Sequence, residues 1–268
     1  MPRFAANLTM LYPEHDFLDR PGAAAADGFH GVECLFPYAF GVDALAACLR
    51  QHNQELVLFN APPGDWDTGE RGLAALPGRE QEFRDSVDCA LQAARQLRCQ
   101  RVHVMAGVVP AQLEREQAWD CYRRNVAWAA DQAVAVDVSV LIEPLNPRDV
   151  PGYLLTHQAQ AHALCDDLQR PNLRVQMDLY HCQIVEGDLS HNLQRHLPKG
   201  TVGHIQIAGV PSRHEPDHGE LHYPHLFALI DQLGYQGWIG CEYRPRLSGA
   251  GGTRAGLKWL QPWLERCA

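Results

Sequence analysis

Four oxygen-bearing side chains close consecutive apolar runs in the C-terminal half of the chain. The runs are Val140-Leu-Ile-Glu143-Pro, Leu173-Arg-Val-Gln-Met-Asp178, Val202-Gly-His-Ile-Gln206-Ile and Gly237-Trp-Ile-Gly-Cys-Glu242. Three carboxylates and an amide are hard oxygen ligands, a set that suits Mg²⁺, or Mn²⁺, rather than the His and Cys sets that hold zinc. Such a centre polarises a carbonyl beside a hydroxyl and stabilises the enediolate left when the carbon-bound proton departs. A carboxylate on the correct side can then carry that proton from one carbon to its neighbour.

Each of these residues also has a purely structural role open to it. Asp178 stands where a strand meets a short helical run over 179–186, the place of an N-cap. Glu242 has Arg244 nearby, and Glu143 has Arg148. His204 precedes Gln206 by two residues and so shares its face of the strand. Around the four lie secondary candidates. His181, three residues after Asp178, is placed to donate a hydrogen bond to a substrate oxygen or to partner a ligand carboxylate. Arg213 is a candidate clamp for a substrate carboxylate, a role for which Arg71 and Arg79 compete. Glu33 supports the site or pairs with a cation inside the fold. Trp66, Phe36 and Tyr38 are wall residues or packing, and His214 and His218 belong to a polar loop.

The elements that must bring these groups together follow from the pattern. Short apolar runs at Phe4–Leu8, Gly31–Leu35, Glu55–Phe59, Arg101–Met105, Ser139–Glu143, Leu173–Asp178, Val202–Ile207 and Gly237–Glu242 read as strands. Amphipathic stretches lie between them, clearest over 78–97 and 112–136, where Ala, Leu and Val recur at helical spacing. Strands apolar on both faces belong to a parallel sheet covered on both sides. Eight strand–helix units predict a single-domain α/β fold over 1–268, a (β/α)8 TIM barrel, whose strand C-termini converge on one mouth. The first strand leads into Asn7-Leu-Thr with no GxGxxG, which argues against a doubly wound dinucleotide fold. Two long segments, 60–78 and 208–223, leave strand C-termini and are expected to overhang the mouth.

Composition narrows the partners. A net charge of −9 and no basic cluster oppose nucleic-acid binding. Nine scattered cysteines without a CxxC pair suit free thiols in a reducing compartment. Neither a leader-like N-terminus nor a membrane-spanning run stands out, so a cytoplasmic protein acting on a small molecule is expected. Exposed barrel helices often pair, so a homo-oligomer stays open.

Further stretches carry a resemblance. Arg3-Phe-Ala-Ala-Asn-Leu, Gly64-Asp-Trp, Gly69-Glu-Arg-Gly, Leu76-Pro-Gly-Arg-Glu, Leu141-Ile-Glu-Pro-Leu-Asn, Asp178-Leu-Tyr-His, His204-Ile-Gln-Ile-Ala and Gly234-Tyr-Gln-Gly-Trp-Ile-Gly-Cys-Glu-Tyr together resemble the hydroxypyruvate isomerase family. That family lies within the xylose isomerase-like TIM barrels and includes the 2-oxo-tetronate isomerases. The resemblance implies that Glu143 and Glu242 are proton donor and acceptor as well as ligands, with Asp178 and Gln206 completing a Mg²⁺ site. The segment from Glu143 to Thr156 and the loop after the third strand look more like hydroxypyruvate isomerases. Val102-His-Val-Met-Ala-Gly-Val-Val-Pro and Gly209-Val-Pro-Ser-Arg-His-Glu-Pro-Asp look more like 2-oxo-tetronate isomerases. Conversion of hydroxypyruvate to tartronate semialdehyde is the first expectation, and 2-oxo-tetronate to 3-oxo-tetronate the second. A sugar epimerase, a dehydratase, a sugar-acid binding protein and a zinc DNA-repair endonuclease of the same barrel class are the rivals, the last disfavoured by charge and ligand type.

Overall fold

The computed structural model describes residues 2–264. Eight parallel strands close a barrel in sequence order: β1 Arg3–Asn7, β2 Gly31–Glu33, β3 Glu55–Asn60, β4 Arg101–His103, β5 Ser139–Ile142, β6 Leu173–Asp178, β7 Val202–Ile207 and β8 Trp238–Cys241. Closure is by β1 on β8, with Ala5 opposite Gly240 and Ala6 opposite Cys241. Helices on the outside include α1 Arg20–Ala26, α2 Val42–Gln51, α3 Glu80–Leu97, α4 Arg115–Ala133, α5 Gln158–Leu168, α6 Leu179–Val185, α7 Leu189–His196 and α8 Tyr223–Gln232, followed by the short α9 Gly252–Gly256 and α10 Gln261–Leu264.

The helix over α3 shows why the pattern works. Phe83, Val87, Ala90, Leu91, Ala94 and Leu97 recur every three or four residues and are buried against the barrel. It starts at Glu80 rather than at the expected Gly78 because Gly78 has φ +87°, outside the helical region. Its end at Leu97 is set by Arg98 in the left-handed region. The expected helix over 112–136 begins later, after a turn in which Leu113 N–H donates to Pro110 C=O, and tightens into a 3-10 turn over Val134–Val136.

Strand alternation puts one set of side chains inside the barrel. One pleat step beneath Asn7, Glu143, Asp178, Gln206 and Glu242 lie Ala5, Leu141, Gln176, His204 and Gly240. Gly240 is needed there: a Cβ on it would meet the Glu33 carboxylate at 2.3 Å. Ala5 and Leu141 of that layer pack with Val57, Leu58 and Trp238 as an apolar cluster of their own. Among the described residues no helix is long and apolar enough to cross a membrane, and the eight cysteines there are free thiols. Cys267 lies outside the described residues.

Candidate active site

The C-terminal mouth gathers three of the four expected ligands. Ligand atoms of Glu143, Asp178, His181 and Glu242 lie within 4.8 Å of one another, and all four residues are buried. That spread is close to the diameter of a Mg²⁺ ligand shell, roughly 4.2 Å. Glu143 and Glu242 are the first residues beyond β5 and β8, and Asp178 is the last of β6.

Asp178 fills the capping role that its position suggests and keeps its other oxygen free. Its Oδ1 accepts the Tyr180 N–H at 2.7 Å and caps α6, while Oδ2 is buried without a hydrogen-bond partner. Glu143 Oε1 is likewise buried and unpartnered, and its Oε2 lies 3.6 Å from His103 Nδ1. Glu242 pairs with Arg213 rather than with Arg244: Arg213 Nη2 donates to its Oε2 at 2.6 Å. Glu143 has no contact with Arg148, which reaches Asp149 at 3.9 Å and the Pro211 carbonyl at 3.4 Å. Leaving buried carboxylate oxygens unpaired is costly, and a cation in their midst is the ordinary remedy.

Electrostatics agree. Burial raises the Glu143 carboxyl well above the usual range, and Glu242 and Asp178 push it further. Asp178 and Glu242 are also raised by burial, each partly relieved by Arg213. Burial opposes the charge on Arg213, but Glu242, Asp178 and Glu143 outweigh it and hold the guanidinium protonated. Ionised together, three acids would outweigh one arginine, and a dication among them would offset the burial and repulsion that hold their protons on.

Gln206 sits on the same face but is engaged below. Its Nε2 donates to Glu33 Oε1 at 2.8 Å, which fixes the amide's orientation, and its Oε1 accepts from Gln176 Nε2 at 2.5 Å. One lone pair of that oxygen remains for a cation. His204 shares the face, as its spacing requires, and joins Glu33 through Nε2 at 2.7 Å. Glu33 therefore supports the floor of the site, and Asn7 Nδ2 donates to it at 2.9 Å and to Glu242 at 3.4 Å.

His181 is oriented by the main chain. Asn146 N–H donates to its Nδ1 at 3.1 Å, so the neutral ring carries its proton on Nε2, 3.7 Å from Asp178 Oδ2. The ring therefore turns an N–H donor, not a lone pair, toward the acids. Burial, with Arg213 and His103 nearby, lowers its pKa far enough to keep it neutral. His103, which motif reasoning left out, is held neutral by burial with a pKa near 3. Its Nδ1 lies 3.2 Å from Asn60 Oδ1 at the end of β3.

A cavity of about 830 Å³ opens over these groups, lined among others by Phe36, Trp66, Arg71, His103, Arg213 and Arg244. Tyr38 is not in its wall and instead donates to the Asn60 carbonyl at 2.8 Å. The loops after β3 and β7 overhang it as expected. A third long segment, 143–157, matches the second of these in length and supplies Asn146 and Asp149. Arg79 is turned away, paired with Glu70 and Glu82, His214 meets the Arg244 carbonyl at 2.8 Å, and His218 is exposed. A cavity of about 900 Å³ at the opposite end of the barrel, walled by Arg3, His30, Arg50 and Trp238, has no convergent acids.

Residues 21–263 match the family model described as xylose isomerase-like TIM barrel. The chain belongs to that family. It is 56% identical to the 2-oxo-tetronate isomerase of Cupriavidus necator, covering 99% of this chain and 100% of that one. Identity to the hydroxypyruvate isomerase of Escherichia coli is 43%, over 98% of this chain and 100% of that one. A solved structure described as an AP endonuclease, family 2, from Brucella melitensis superposes with TM-score 0.94 at 50% identity, covering 98% of this chain and 99% of that one. D-psicose 3-epimerase from Clostridium cellulolyticum shares the fold, with TM-score 0.78 at 16% identity over 98% of this chain and 99% of that one. With full-length curated relatives of this kind, the chain is an enzyme of the isomerase class.

Proposed function

We propose that the mouth is a divalent-metal centre that isomerises a short 2-oxo acid bearing a hydroxyl on C3, with 2-oxo-tetronate as first substrate and hydroxypyruvate as second. The observation that carries this reading is the pair of buried, unpartnered oxygens, Glu143 Oε1 and Asp178 Oδ2, beside an oriented His181 N–H donor. Relatives at 56% and 46% identity are named 2-oxo-tetronate isomerase and one at 43% hydroxypyruvate isomerase, which reverses the order expected from the motifs. Cavity volume does not choose, since about 830 Å³ holds either acid.

Glu143, Asp178, Glu242 and the free lone pair of Gln206 Oε1 would hold Mg²⁺ or Mn²⁺. When bound, the ion supplies Lewis-acid polarisation of the substrate carbonyl and of the hydroxyl beside it. One of Glu143 and Glu242 accepts the proton from C3, and the other delivers a proton to C2. The hydroxyl proton passes from the C3 oxygen to the C2 oxygen, so the product differs from the substrate only in where the carbonyl stands. His181 Nε2–H donates to the oxygen on which negative charge develops. The neutral ring is the right form for that task, because it donates without adding a positive charge beside the cation.

NMR in D₂O of metal-stripped and Mg²⁺-restored protein, offered each acid separately, tests the reading. Metal-dependent deuterium uptake with formation of the isomer supports it, and the acid with the larger kcat/KM is the substrate. No exchange with either acid sinks it. The endonuclease description of the Brucella melitensis structure favours one other reading, against which stand the net charge of −9 and an acid-lined cavity. Salt-sensitive binding in a gel shift with abasic DNA would restore it.

A further inference from the structure

An isomerase of 2-oxo acids has to hold a carboxylate as well as the reacting carbons, and Arg213, the expected clamp, is already spent. Its guanidinium bonds Glu242 at 2.6 Å and lies 3.5 Å from Asp149. Arg79 is bound by two glutamates. Two further arginines line the cavity, Arg71 and Arg244. Arg244 is exposed and no contact fixes its side chain among the described residues.

Arg71 is anchored. Its Nη1 donates to the Trp66 carbonyl at 3.0 Å and to the Glu70 carbonyl at 2.7 Å, and its cation lies 3.6 Å over the Trp66 ring. Trp66 in turn meets the Phe36 ring edge-on at 5.1 Å. The segment is pinned from behind by the next residue. Gly72 has φ +115°, and a Cβ on it would lie 2.2 Å from the Met105 carbonyl, so only glycine lets the loop seat this closely on the chain leaving β4. With Nη1 committed, Nε and Nη2 have no protein acceptor among the described residues. Those two N–H groups form the side-on fork that matches a carboxylate bidentately.

We propose that Arg71 is the residue that reads the substrate carboxylate, its fork presented by Trp66 and the two main-chain carbonyls. This rests on the isomerase reading of the same cavity. An arginine fixed before binding loses little side-chain freedom when the acid arrives, so its contribution goes to selectivity for acids over neutral hydroxy-ketones. The contact is equal in substrate and transition state, so its removal should appear in KM rather than in kcat.

The experiment compares wild type, Arg71→Met, Arg71→Lys and Arg244→Met on 2-oxo-tetronate, hydroxypyruvate and the neutral analogue 1,3-dihydroxyacetone, with binding of glycerate, a non-isomerising acid, measured by calorimetry. The expected result is a KM for the acids raised about 10- to 100-fold in Arg71→Met. Its kcat should change less than about threefold and dihydroxyacetone exchange should be unaltered, with Arg71→Lys intermediate and Arg244→Met near wild type. An unchanged acid KM in Arg71→Met, an equal loss on acid and neutral substrates, or a loss that follows Arg244 instead would overturn it. If the wild type turns over neither acid, the isomerase reading fails by itself. Glycerate binding that weakens in Arg71→Met then still upholds the carboxylate reader, and equal or absent binding overturns it.

Discussion

Two groups of buried carboxylates lie within one pleat step of each other, and they are opposites. Glu33 is 1% exposed and its oxygens are met by Asn7, Gln206 and His204. Glu143 and Asp178, 5% and 0% exposed, each keep an oxygen with nothing to bond. Burial is the same, so burial does not separate a supporting acid from those proposed to meet the ion and the substrate. Satisfaction separates Glu33 from two of them: the protein closes the hydrogen-bond demands of Glu33 itself and leaves one oxygen each of Glu143 and Asp178 for something that comes from outside, whereas Glu242, bonded by Arg213 and Asn7, joins them by convergence alone.

The sharpest way to break this contrast is to neutralise one acid at a time. Glu143→Gln or Glu242→Gln should lower turnover by about 10³-fold or more while the protein stays folded. Deuterium exchange and circular dichroism check this, and near-wild-type activity in either variant would remove the distinction. Glu33→Ala should do the reverse. It strands donors from Asn7, Gln206 and His204, at roughly 1–3 kcal/mol each, so urea unfolding should show a loss of about 3 kcal/mol or more. A stable but inactive Glu33→Ala protein would place Glu33 among the reacting acids.

A smaller effect isolates the ion. Mg²⁺ or Mn²⁺ at about 100 times its Kd should stabilise the wild type by about 2.7 kcal/mol, seen as a higher Tm. Asp178→Asn keeps an oxygen for the Tyr180 N–H but replaces the open one, so its Tm should respond far less to metal. Equal responses would move the cation elsewhere.

The smallest effect tests whether an orphaned buried atom is enough by itself. His162 and His196 stack at 3.8 Å, with His162 Nε2 and His196 Nδ1 unpartnered, but their parallel rings do not converge on a point. Burial first, then neighbouring cations, lowers them to about 3 and about 4. The unfolded chain takes up protons below its own pKa near 6.5 while the folded one does not, so stability is full above that pH and falls as pH drops toward about 4. His162→Phe should flatten this slope in Tm measured between pH 7 and 5 without altering the response to metal. A metal response lost with His162 would contradict the requirement for convergence.

Much of this was legible in the chain because it is local. Strand ends and their acids follow from alternation, and the Asp178 cap from a carboxylate at a strand–helix junction. What escaped depends on partners far apart in sequence. Arg213 is 29 residues from Glu242, and nothing near either foretells their bond. Glu33 meets His204 across 171 residues, which settles its supporting place only in three dimensions. The run Arg101–Met105 has the composition of a strand to its end, whereas β4 stops at His103. Beyond it the chain is both buried and covered by the loop after β3, where Gly72 seats against Met105 and Ala75 N–H donates to the Ala106 carbonyl at 2.8 Å.

The donor that orients His181 belongs to the main chain of Asn146. Every residue except proline carries that N–H. Replacing the Asn146 side chain would remove the amide contact at 2.7 Å yet leave the proton of the imidazole on the nitrogen that faces the acids. Its polarity is written into the path of the backbone between β5 and α5, so no substitution at position 146 short of proline withdraws the N–H that keeps this group a donor.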